Sequence, residues 1–109
     1  MKEVDMKNVW AWGLVLAMSS TLADEVAAGR AKADVACALC HGLLGVASLP
    51  SAPNLAGQPA IYVSEQLKNY RSGKRANEVM SVIAKPLTDT EIMQLAAWYS
   101  AIKVTVEMP

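Results

Sequence analysis

Two cysteines three positions apart, with a histidine directly after the second, constrain this 109-residue chain more than anything else in it: Cys37-Ala38-Leu39-Cys40-His41. On a helix, residues three apart share a face about one turn apart, so both thiols point at one object. The chain has no other cysteine or histidine. A structural zinc site normally wants four N or S ligands, and these residues cannot supply them. A thioredoxin-like redox pair expects a strand-to-helix setting within a βαβ pattern, and no convincing run of alternating strand residues is present.

A haem satisfies the spacing. Thioether bonds from Cys37 and Cys40 to its two vinyl groups fix the porphyrin on one helix face, and His41 is placed to turn its imidazole onto the iron; Cys-x-x-Cys-His is the attachment pattern of covalent haem c. The opposite axial position then needs a donor, and with no second histidine the candidates are Met, Lys or nothing. Met1, Met6 and Met18 lie in the N-terminal apolar region, Met108 is one residue from the end, and Met93 falls inside a predicted helix. Met80 remains, in an irregular connection where its thioether can swing over the far haem face. Its plainer reading is a flexible core filler. The candidate iron ligands are therefore His41 and Met80.

Apolar residues make up 53% of the chain, a figure inflated by the run from Val9 to Ala23. A membrane-spanning helix needs about 20 apolar residues, and this run falls short. Thr21 and Ala23 place small residues where a signal peptidase looks. Residues 1–23 are thus expected to form a secretory signal and residues 24–109 the folded domain; an uncleaved, membrane-anchoring end is the alternative. Glu3 and Asp5 beside Lys2 and Lys7 do not suit a basic signal start, whereas initiation at Met6 gives one. Export implies an oxidising, periplasmic setting. Two of the ten basic and two of the ten acidic residues precede Asp24, leaving eight of each. That balance, with no basic stripe, argues against a nucleic-acid partner.

Three helices are predicted, making the domain all-α. The first spans Glu25 to Cys40, with Asp24 as N-cap and a stripe of Val26, Gly29, Ala33, Cys37 and Cys40. Gly42, Gly45, Pro50 and Pro53 forbid its continuation. Pro59 sits in the first turn of the second, where Val63, Leu67 and Tyr70 share a face and Gly73 supplies a stop. Thr88-Asp89-Thr90-Glu91 fits a capping box for the third, which carries an apolar stripe of Ile92, Leu95, Ala96 and Tyr99. A short helix around Glu78 to Ala84 is expected in the connection before it.

In this order the pieces resemble the small class I cytochromes c of bacteria, over about residues 25–102. Gly29 precedes the attachment site Cys37-Ala38-Leu39-Cys40-His41-Gly42; Pro53-Asn54-Leu55-Ala56-Gly57-Gln58 follows; then come Gly73 to Met80 and the stretch from Leu87 through Trp98-Tyr99. The resemblance implies three main helices wrapped around one covalently bound haem. It also implies that the Pro53 carbonyl accepts from His41 Nδ1, that Leu55 lines the haem pocket, and that Trp98 packs on the bare backbone of Gly29. Of the pair Lys74-Arg75, whose plainer reading is a solvated turn, one residue, with Arg75 preferred over Lys74, becomes a candidate contact for a haem propionate. The separation of His41 from Met80 is short for this class, so the pocket edges should be open.

The function expected is single-electron transport in the periplasm on a His/Met-ligated haem c, with no bond-making of its own. The partners would be redox proteins, an oxidase, reductase or dehydrogenase, with transient docking to membrane complexes. One alternative is the cytochrome subunit of a dehydrogenase or oxidase complex; another is a five-coordinate haem protein that binds gases.

Overall fold

The computed structural model describes residues 19–109, so the predicted leader lies mostly outside the described residues. Its helices are α1 (Leu22–Ala36), α2 (Ala38–His41), α3 (Ala60–Ser72), α4 (Met80–Ala84) and α5 (Asp89–Ala101). There is no strand among the described residues, and the domain is all-α.

Helix α1 begins earlier than the sequence suggested. Thr21, not Asp24, is its N-cap: the Thr21 hydroxyl accepts from the Asp24 N–H at 3.2 Å, and the Asp24 carboxylate accepts from the Thr21 N–H at 3.1 Å. Asp24 therefore closes a capping box three residues in. The predicted single helix to Cys40 is also broken. Cys37 leaves helical geometry at φ −123°, ψ −32°, and a new turn, α2, carries Cys40 and His41. Neither Gly nor Pro interrupts this stretch. Ser48 and Leu49 donate their backbone N–H groups to the Cys40 carbonyl at 3.1 and 3.3 Å, drawing that last turn toward the loop that follows.

Helix α5 starts at the predicted box. Thr88 and Glu91 cap each other reciprocally, and Ile92, Leu95, Ala96, Trp98 and Tyr99 are buried. Pro59 is the N-cap of α3, and Gly73, at φ 86°, ends it in the left-handed conformation that glycine adopts without penalty.

The core lies where α1, α3 and α5 meet. Ala33, Val63, Ala84, Leu87 and the buried face of α5 form one cluster, with Val26, Cys37, Leu55, Leu67 and Tyr70 packed against it. Helices α1 and α5 approach closely at Gly29. A Cβ there would stand 1.9 Å from the Gln94 carbonyl oxygen and 3.0 Å from the Trp98 Cβ. The tightest approach is thus the α5 backbone at Gln94, with Trp98 one turn on. Both Trp98 and Tyr99 are core residues, so the apolar arc of α5 is wider than one stripe.

Arg71 joins α3 to the start of α5. Its guanidinium donates to the Leu87 carbonyl at 2.9 Å and to the Asp89 carboxylate at 2.6 Å.

Candidate functional site

The break at Cys37 sets up the site. Cys37 and Cys40 are half-buried free thiols, and His41, in the same turn as Cys40, is buried. Its Nδ1 lies 2.8 Å from the Pro53 carbonyl oxygen. A carbonyl only accepts, so Nδ1 carries the proton and Nε2 presents its lone pair for a metal. Orientation of a ligating ring by a hydrogen bond at its other nitrogen is the usual device of metal-binding histidines.

Pro53 is held in place by the loop around it. Leu55 and Ala56 donate to the Gly45 carbonyl at 2.7 and 3.0 Å, and the Asn54 side chain accepts from the Ala47 N–H at 2.7 Å. Gly57 ties the loop to α5 through the Tyr99 carbonyl at 2.9 Å. Gly45, at φ 74°, admits no side chain, since a Cβ there would lie 2.6 Å from the Ala56 nitrogen. Asn54 went without a role in the sequence reading; its signal was an Asx residue directly after a proline, a turn-forming pair.

Among the described methionines, Met93 is 64% exposed on α5 and Met108 is 90% exposed near the end of the chain, whereas Met80 is half-buried. Met80 is the first residue of α4 and not part of an irregular stretch. Asn77 fixes its position: the Asn77 side chain accepts from the N–H groups of Val79 and Met80, both at 3.0 Å, and its own N–H donates to the Ser81 hydroxyl at 3.0 Å. This Asx turn carried no prediction from the sequence. Leu55 packs against the core cluster. Arg75 is engaged on α3, with its guanidinium 4.7 Å from the centre of the Tyr70 ring and donating to Gln66 at 2.8 Å.

The residues present fit a haem. Two unpaired thiols and an oriented, buried imidazole sit in one turn. Leu43, Leu44, Val46 and Leu49 in the loop after this turn, and Val79 and Val82 beside Met80, are exposed, apolar side chains available to cover a haem. Burial pushes the Cys37 thiol upward, an effect partly opposed by the Tyr99 hydroxyl and the Lys32 ammonium. The Tyr99 hydroxyl is itself pushed far upward, first by burial and then by Cys37.

The cytochrome c sequence profile matches residues 26–102. Cytochrome c4 of Thiocapsa roseopersicina is 47% identical over 73 residues, which is 67% of this chain and 38% of that protein. The thiosulfate dehydrogenase electron acceptor of Thiomonas intermedia is 44% identical over 69 residues, 62% of this chain and 31% of that one. The chain therefore spans well under half the length of these two relatives. Among solved structures, reduced recombinant cytochrome c4 from Pseudomonas stutzeri superposes with a TM-score of 0.66 at 27% identity, over 72% of this chain and 48% of that one.

Proposed function

Since this chain belongs to the cytochrome c family, whose members transfer electrons on covalently bound haem c, we propose that it is a periplasmic one-electron carrier with Cys37 and Cys40 as the thioether residues and His41 and Met80 as the iron ligands. Held there, haem c supplies a reversible one-electron iron couple. The observation that carries the reading is the hydrogen bond from His41 Nδ1 to the Pro53 carbonyl at 2.8 Å, in the same turn as a half-buried thiol. It commits one ring nitrogen to the protein and leaves the other for iron. Met80, half-buried and placed by Asn77, supports a thioether in the second axial position. A His/Met pair raises the potential relative to more strongly donating ligands, and two protein ligands change little in geometry between oxidation states. Leu55 and the exposed leucines and valines keep water from the haem faces.

The export reading makes residues 1–23 a leader and residues 24–109 the domain. Cleavage after Ala23 would remove the Thr21 cap and two residues of α1, leaving Asp24 and Glu25 beside the new helix start, where carboxylates suit the helix dipole. Among the described residues no helix is long and apolar enough to cross a membrane.

Absorption spectra of the purified protein test the proposal. A haemochrome of the thioether type and the weak long-wavelength ferric band of sulfur ligation are expected; rapid carbon monoxide binding without that band would overturn Met80 ligation in favour of a five-coordinate site. The Thiomonas relative, a thiosulfate dehydrogenase electron acceptor, favours a dehydrogenase as one donor. Reduction of the holoprotein by such an enzyme, dependent on its substrate, checks that partner class.

A further inference from the structure

Two buried side-chain polar atoms of the described residues have no hydrogen-bond partner, the Trp98 indole nitrogen and the Tyr99 hydroxyl. Buried polar groups almost always find a partner, and leaving one unmade is expensive. Tyr99 has no way to turn outward. It is 1% exposed, its carbonyl accepts from Gly57 at 2.9 Å, and its Cδ1 stands 3.1 Å from where a Cβ on Gly45 would be. The Cys37 side chain packs against the same cluster.

The chemistry of attachment supplies what is missing. A free thiol both donates and accepts weakly. Once Cys37 Sγ is bonded to carbon on both sides it has lost its hydrogen and can only accept. The phenol beside it is buried among apolar groups and keeps its proton, so it can donate.

We propose that Tyr99 is a positioning residue for the haem: its O–H donates to the Cys37 sulfur in the attached protein, orients that thioether and raises the reduction potential. A donor at the sulfur draws electron density from the porphyrin edge and so favours the more electron-rich ferrous form; hydrogen bonding around the cofactor is one of the protein's levers on potential. The proposal rests on Cys37 being an attachment residue.

The test uses holoprotein. In Tyr99→Phe the ring and its packing stay and only the O–H goes. The denatured variant should keep its haem by mass, its far-ultraviolet circular dichroism should be unchanged, and its midpoint potential should shift downward in spectroelectrochemistry. In the wild type, the thioether C–S stretch in resonance Raman should move when water is exchanged for D2O, and in Tyr99→Phe it should not. A purely structural tyrosine gives no such deuterium sensitivity. Covalent haem with an insensitive wild-type band overturns the proposal alone, and it does so even if Tyr99→Phe fails to fold. Haem lost from denatured wild-type protein overturns the attachment reading and this inference with it.

Discussion

Met80 and Met93 separate the ligand reading from packing. Met80→Ala leaves Cys37, Cys40 and His41 in place, so covalent haem and helical content should persist. The potential should fall and the vacated position should take up carbon monoxide, measured by redox titration and flash photolysis. Met93, 64% exposed, should tolerate Ala at a cost of about 0.5 kcal/mol or less, with the ferric sulfur band intact. The opposite pattern, with the band lost only in Met93→Ala, would move the ligand to α5. Gly29→Ala pits two effects against each other. Ala gains about 1 kcal/mol of helix propensity over Gly, but its methyl would sit 1.9 Å from a backbone carbonyl oxygen, which cannot move without shifting α5. Overpacking of this kind costs about 1–3 kcal/mol or more, so the overlap wins, and a lower midpoint in denaturant titration of the holoprotein is expected.

Among the described residues two ion pairs join the helices, Lys32 with Glu91 at 2.7 Å between α1 and α5, and Arg71 with Asp89 at 2.6 Å between α3 and α5. Hydrogen bonds from Lys32 and from Arg71 are the largest causes holding the Glu91 and Asp89 carboxyls below their ordinary values. Asp89 is exposed, and the half-buried Glu91 and Lys32 side chains both still reach solvent, so each pair contributes little. A depressed folded-state pKa gives stability that is present above the unfolded value and is lost as pH falls through the folded one. The melting temperature should therefore hold between neutrality and about pH 5 and decline below about pH 4, and added salt should blunt the pairs' contribution. The capping box of α5 is a separate local element. Thr88→Ala should lower stability by about 1 kcal/mol, read as a shift in thermal midpoint with the haem spectrum unchanged.

For the whole molecule, the modest buried cluster and the apolar side chains left exposed beyond the attachment turn imply a fold completed by its cofactor. A ligand bound only by the folded state stabilises that state, and a domain this small has little core to spare. Replacing Cys37 and Cys40 by Ala together should leave no cooperative thermal transition in circular dichroism; a sharp one would show that the protein half of the core suffices. The parts of this design that were readable in the sequence are the ones set by short-range chemistry. Cys-x-x-Cys-His fixed the cofactor, Thr88-x-x-Glu91 fixed the start of α5, and Pro59 with Gly73 bounded α3. The Thr21-x-x-Asp24 box was equally local, but it lay within a run read as leader, so the cap was assigned three residues late. The rest depended on which surfaces meet. The Gln94 carbonyl rather than a side chain sets the closest approach to Gly29, and Arg71 reaches Leu87 and Asp89 across the connection after α3. Periodicity and caps are written within a turn or two of chain, whereas these contacts join residues distant in sequence and exist only once the helices have packed.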